Sequence, residues 1–100
     1  MQTHEYDLQV MPISEIINRV TDACLKCDVK RLDLFGSFAT GTATNRSDID
    51  FVVYGVVDHD KLERMIDEIE TLRKIDIFYY EDIKNEFLLE DIRKYGRQIY

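Results

Sequence analysis

Ten residues separate Gly36-Ser37 from an Asp48-Ile49-Asp50 triplet, in the run G-S-F-A-T-G-T-A-T-N-R-S-D-I-D that leads into the apolar Phe51-Val52-Val53. A glycine where a strand ends lets a bound group approach the backbone closely. A serine just after it offers an N–H and a hydroxyl where a helix can begin, both suited to a phosphate. Gly41 lets the intervening loop turn back. Two aspartates two apart on a strand leave by the same face with Cα atoms about 6.6 to 6.8 Å apart, so their carboxylates can converge on one cation or share two. Such hard oxygen ligands suit Mg²⁺ or Mn²⁺ rather than zinc. In two-metal phosphoryl chemistry the ions lie about 3.5 to 4 Å apart, one activating the attacking oxygen and one the leaving phosphate. The run as a whole is suited to gripping a metal-bound nucleoside triphosphate.

The aspartate pair carries little by itself. With 20 acids in 100 positions, chance supplies about four acid-x-acid pairs, and the chain has four, the others being Glu5/Asp7, Asp58/Asp60 and Glu68/Glu70. Those three read as solvated surface. The specificity lies in the coupling of the pair to the Gly-Ser turn. Rival motifs are missing: there is no G-x-x-x-x-G-K-[ST], no G-x-G-x-x-G and no G-x-S-x-G.

Positioning these groups takes a small set of elements. From Pro12 onward Ile13, Ile16, Ile17, Val20, Ala23, Cys24 and Cys27 recur at helical spacing. Lys30 to Phe35 reads as a strand stopped by Gly36, and Asp48 to Tyr54 as a second. In the second, Ile49, Phe51 and Val53 face the core while Asp48, Asp50 and Val52 face the other way. A brief helical turn fits Ser37 to Thr40, and Gly41 to Ser47 reads as loop. Asp60 with Glu63 predicts a capping box, opening a helix that buries Leu62, Met65, Ile66, Ile69 and Leu72. A third strand alternates Ile75, Ile77 and Tyr79 with Asp76, Phe78 and Tyr80. The last helix carries Ile83, Phe87, Leu88, Ile92 and Tyr95 on one face, with Gly96 near its end. The order is that of an α/β layer fold. The twelve residues between Phe35 and Asp48 leave strand direction open. Residues 1 to 11 are an arm, an extra strand or a dimer contact.

The chain has 100 residues, 45% of them hydrophobic and 33% charged, and is expected to form one domain over 1–100. No apolar run approaches the roughly 20 residues that span a bilayer, and the start, with His4, Glu5 and Asp7, lacks the order of a signal peptide. A cytoplasmic protein without membrane contact is expected. A formal charge of -7 argues against duplex nucleic acid as a direct partner. Cys24 and Cys27 form a C-x-x-C, but a zinc site needs about four ligands and only the scattered His4 and His59 could add to it. Buried structural cysteines are expected.

Gly36-Ser37, the spacing to Asp48-Ile49-Asp50, the preceding Leu34-Phe35, the later Ile75-Asp76-Ile77 and the ending Ile92-Arg93-Lys94-Tyr95-Gly96-Arg97-Gln98-Ile99-Tyr100 together resemble the polymerase-β-like nucleotidyltransferase superfamily. Within it they resemble the minimal nucleotidyltransferases (MNT). The resemblance covers nearly the whole chain. It implies a nucleotidyltransferase fold, α+β in layering, with a small mixed sheet of about three or four strands flanked by helices.

It also implies roles. Gly36 and Ser37, with Gly41 in the same loop, would hold the nucleotide phosphates. Asp48, Asp50 and Asp76 would be the catalytic carboxylates and bind two Mg²⁺ (or Mn²⁺), with Asp76 orienting or deprotonating the acceptor hydroxyl. Three carboxylates and two such ions leave the loaded site at about +1, ready for an anionic triphosphate. Asp33 is a weaker rival for the third position. Many relatives carry arginine where this chain has Thr40, a missing cation for which Arg46 could compensate. The implied reaction is transfer of AMP from ATP to an acceptor hydroxyl, a tyrosine of a HEPN-type helical toxin partner. The alternatives are an MNT subunit that acts by contact alone, or a small-molecule nucleotidyltransferase completed by a second subunit. Homo-oligomerisation is left open.

Overall fold

The computed structural model describes residues 11–100. Helix α1 (Ile13–Lys26) starts after Pro12, whose carbonyl accepts from Ile16 N at 3.1 Å, and it buries Ile16, Val20, Ala23 and Cys24. The chain reverses through Asp28 at φ 57° and enters strand β1 (Arg31–Phe35). The short helix α2 (Ser37–Thr40) follows, then β2 (Ile49–Tyr54), α3 (His59–Asp67) and β3 (Ile75–Tyr79). A 3-10 turn (Tyr80–Asp82), α4 (Glu86–Tyr95) and β4 (Arg97–Gln98) complete the chain.

One four-stranded sheet runs in the order β3-β2-β1-β4. β1 is antiparallel to β2 and to β4, whereas β2 and β3 are parallel. The short connection through α2 therefore serves an antiparallel pair. The longer one through α3 is the crossover that a parallel pair requires. The sheet is mixed and flanked by helices, as the resemblance implies.

One sheet face carries Leu32, Leu34, Ile49, Phe51 and Val53. With Ile16, Val20, Leu62 and Ile66 of α1 and α3 they form the main core. Full burial of each such aliphatic side chain contributes about 1.5 to 3 kcal/mol, so this face sets the register of β1 and β2. The opposite face, which holds Asp50, is only partly covered. There α4 buries Ile92, and a Cβ placed on Gly96 at its end would lie 3.7 Å from Asp33 Oδ2. Val52 is nonetheless fully buried, so β2 is closed on both sides at its centre.

Several boundaries differ from expectation. β2 begins at Ile49, leaving Asp48 just outside the strand. α3 is capped by Asp58, whose carboxylate accepts from Lys61 N at 3.0 Å, and not by Asp60. It also ends at Asp67, so Leu72 lies beyond it and is 78% exposed. α4 begins at Glu86, capped by Asn85, rather than near Ile83, and Phe87 and Tyr95 are exposed instead of packed. The fourth strand comes from the C-terminal residues, where Ile99 N donates to Leu32 O and Leu32 N to Tyr100 O. Apart from Met11, which packs against the core, the segment 1 to 11 lies outside the described residues. Among the described residues no helix is long and apolar enough to cross a membrane.

Candidate active site

Gly36 is the pivot of the site. Its φ of 71° and ψ of -152° belong to a region that side chains avoid, and a Cβ there would meet Asp50 Oδ2 at 2.3 Å. The glycine is required twice over, for the turn and for the approach of a carboxylate. Because Phe35 and Asp50 are partners across the β1/β2 ladder, the end of β1 delivers this turn directly beside Asp50. α2 then carries Ser37 and Phe38 away. Gly41 closes it at φ 81°, with Thr42 N donating to Ser37 O at 2.9 Å.

The carboxylates come from two strands. Asp50 and Asp76 are register partners on parallel β2 and β3, so they leave the same face side by side. Asp50 is pushed up to about 6, first by burial, then by the charge of Asp76 and a hydrogen bond to it, with Asp48 adding to the rise and Lys74 opposing it. Lys74 Nζ lies 3.7 Å from Asp76 Oδ1. Asp48 is exposed at the mouth of β2. Among the described residues no three His, Cys, Asp or Glu side chains already form a closed ion cage. The donor set still suits a divalent cation, because hard carboxylate oxygens stand close together and the charges of Asp76 and Asp48 raise the proton affinity of Asp50, a repulsion that such an ion relieves.

The loop before Asp48 is built rather than slack. Thr44 N donates to Ser47 Oγ at 2.8 Å, and Arg46 N to Thr44 Oγ1 at 3.3 Å. From the approach to β3, Arg73 donates to the Ser47 carbonyl and sets its guanidinium 5.2 Å from the centre of the Phe38 ring. Arg73 and Lys74 were not among the residues expected here. The available signal was two adjacent cations just ahead of the strand bearing Asp76. Thr40 supplies no charge and turns its hydroxyl inward, 3.4 Å from both Gly36 O and Ser37 O and 3.0 Å from Thr42 Oγ1.

Asp33, the rival acid, is engaged elsewhere. It is buried, accepts from Arg31 Nε at 3.0 Å and Nη2 at 3.2 Å, and accepts from Tyr54 OH at 2.8 Å. The arrangement satisfies a buried charge, and Asp33 is opposite Val52 rather than beside Asp76. Cys24 and Cys27 are buried and unpaired, with Cys27 Sγ 3.6 Å from Met65 Sδ, in keeping with a packing role.

Comparison with known proteins agrees with this fold. A toxin–antitoxin structure with AMP-PNP superposes with a TM-score of 0.65 at 19% identity, over 83% of this chain and 71% of that one. Two mutants of the MntA-HpeT toxin–antitoxin give TM-scores of 0.63 and 0.58, at 15% and 21% identity. They cover 83% and 90% of this chain, and 70% and 72% of theirs. These likenesses speak to the fold. No curated protein matches the sequence significantly. The family model for the nucleotidyltransferase domain matches residues 13–99, and the chain therefore belongs to the nucleotidyltransferase-domain family.

Proposed function

We propose that this protein is a divalent-metal-dependent nucleotidyltransferase that moves AMP from ATP onto an acceptor hydroxyl. The observation that carries the reading is the meeting of the Gly36 turn, whose missing side chain leaves room for Asp50, with the Asp50/Asp76 pair, whose charge Asp48 adds to. Asp48, Asp50 and Asp76 would hold the metal, Mg²⁺ or Mn²⁺ by donor type. When bound, it would supply charge neutralisation at the phosphates and lower the proton affinity of the attacking oxygen.

The chain's own groups do the rest. Gly36, Ser37 and Gly41 shape the loop that holds the phosphates. Asp76, with Lys74 beside it, is the third carboxylate and takes the acceptor's proton. The acceptor oxygen forms a bond to the α-phosphorus, the bond from that phosphorus to the bridging oxygen breaks, and pyrophosphate leaves with the electron pair.

The acceptor belongs to a partner. Three structures of similar fold are toxin–antitoxin structures, one with AMP-PNP. The partner we propose is a HEPN-type helical toxin, modified on a tyrosine hydroxyl and thereby silenced. A second reading, in which the chain neutralises its partner by contact alone, draws on the uncharged Thr40.

The experiment is transfer of label from α-labelled ATP to the product of the neighbouring gene, with Mg²⁺. Labelling by wild type, with a loss of at least about 100-fold in Asp48→Asn and Asp50→Asn, is expected. A tight complex with no labelling by wild type would overturn catalysis and leave the contact reading.

A further inference from the structure

β3 (Ile75–Tyr79) stands at the edge of the sheet: it pairs with β2, and among the described residues no other strand lies on its far side. Ile49 N donates to Lys74 O at 3.0 Å, so in this parallel ladder the even-numbered residues of β3 bond to β2. The N–H and C=O groups of Ile75, Ile77 and Tyr79 therefore point outward. β3 is apolar at every position except Asp76, yet none of its residues is fully buried, whereas β2 buries Ile49, Phe51, Val52 and Val53. Proline and lysine, which blunt many sheet edges, are missing from it, and its one charge is the carboxylate of the site.

The two sides of this edge differ. Asp76 and Phe78 are on the side of the site, where the Phe78 ring meets Phe35 edge-on at 6.3 Å. Ile75 and Ile77 face the other way and, with Glu63, Ile66 and Asp67 of α3, line a cavity of about 190 Å³. Small-ligand sites begin at about 300 Å³, so this one suits a single inserted side chain. Its floor is aliphatic and its charged groups are both acids. Glu63 accepts from Tyr79 OH at 2.9 Å, while Asp67 belongs to no ion pair among the described residues.

We propose that the acceptor arrives as an extended polypeptide segment that adds to β3 as an antiparallel strand, with a tyrosine opposite Phe78 and a lysine or arginine next to it, opposite Ile77, in the α3 cavity. The inference rests on the nucleotidyltransferase reading and names how that site holds its second substrate. Antiparallel is the more stable ladder per residue. In strand addition the main-chain bonds supply affinity and the pockets for alternate side chains supply choice. A side chain opposite Phe78 lies diagonally about 7 to 8 Å from Asp76, a span that aromatic side chains cover and short ones do not. The tyrosine ring rests on Phe78 and brings its hydroxyl to Asp76, which takes the proton as the oxygen bonds to the α-phosphorus and pyrophosphate leaves with the electron pair. The neighbouring residue turns to the opposite side of the sheet. There a long cationic side chain lays its stem on Ile66 and Ile77 and its charge beside Asp67.

The test uses the full chain, Mg²⁺, α-labelled ATP and short synthetic peptides that hold one tyrosine between two lysines in a β-branched sequence. Labelling by wild type is expected. N-methylation of either lysine, whose N–H faces β3, is expected to cut it about tenfold or more, whereas N-methylation of the tyrosine, whose N–H faces away, leaves it within about twofold. Asp67→Lys, a change on the exposed side of α3, is expected to raise KM for the lysine peptide about tenfold and to favour a peptide with glutamates in place of the lysines. Its Mg²⁺–ATP binding by isothermal titration and its melting midpoint should match wild type. Equal loss at every methylated position, or loss at none, overturns strand addition, and an Asp67→Lys variant that keeps the wild-type peptide preference overturns the cavity's role. If wild type binds Mg²⁺–ATP and labels the product of the neighbouring gene but none of the peptides, this proposal fails and the nucleotidyltransferase reading stands. If wild type binds no Mg²⁺–ATP and labels neither, both fall together.

Discussion

At Asp50 the needs of the site and those of the fold diverge. The carboxyl is pushed up to about 6 from an ordinary 3.8, by burial first and by Asp76 second, so the fold prefers it protonated. Its favourable contribution is then fully present below about pH 3.8 and is lost as pH rises through about 6. Asp50→Asn imitates the neutral form and should stabilise the metal-free protein by about 1 kcal/mol at pH 7.5, once solvent screening is allowed for. Below pH 4 the difference from wild type should disappear. Urea titrations at the two pH values check this, and equal stability at pH 7.5 would show that the carboxylates do not repel as described. The same residues show what a sequence makes legible at this scale. That Gly36, Asp50 and Asp76 could lie together was legible because backbone conformation and strand alternation constrain where they stand. The contacts of Arg73 were not, because they join the ring of Phe38 and the carbonyl of Ser47, both far off in the chain and brought near only by the fold.

At the scale of elements, periodicity located the helices and strands, and competition among similar residues displaced their ends. Asp58 and Asp60 can each cap a helix, and the chain uses Asp58, with its carboxylate on Lys61 N and its carbonyl on Leu62 N. Asp58→Ala should therefore cost about 1 kcal/mol, while Asp60→Ala, in the first turn but making no cap bond, should cost less than about 0.5 kcal/mol. Denaturant midpoints of the two variants distinguish the cap, and equal losses would overturn it. Leu72 continued the apolar spacing of α3 in the sequence, yet the chain leaves the helix at Glu68 and Leu72 faces solvent. β4 was illegible for a different reason. Arg97 and Gln98 are exposed and polar, and they count as a strand only through their ladder with Asp33 and Leu34. Local pattern carries no record of such a pairing.

Across the whole molecule, one buried cysteine and three half-buried tyrosines are held in neutral form, and together they govern behaviour in alkali. Cys24 is pushed up to about 12 by burial and by nearby Cys27, and Tyr100 to about 12 by burial and by the same two cysteines. Tyr54 and Tyr79 are raised further still, by burial and by hydrogen bonds to Asp33 and Glu63. These groups lie in different parts of the sheet and in α1, so ionising any of them works against the fold as a unit. In the unfolded chain they lose protons near the ordinary values of 9.0 for cysteine and 10.0 for tyrosine. The folded state holds its protons longer, so stability is intact below about pH 9 and declines as pH rises through 12. Urea midpoints measured from pH 8 to pH 11 should be level at first and then fall steadily. In Cys24→Ala the fall between pH 9 and 10 should be shallower than in wild type, whatever the cavity does to absolute stability. A midpoint that stays level to pH 11 would mean that these groups ionise as freely in the folded protein as in the unfolded chain. Native Cys24 should likewise resist alkylation by iodoacetamide at pH 8, since the thiolate is the reacting species and burial withholds it.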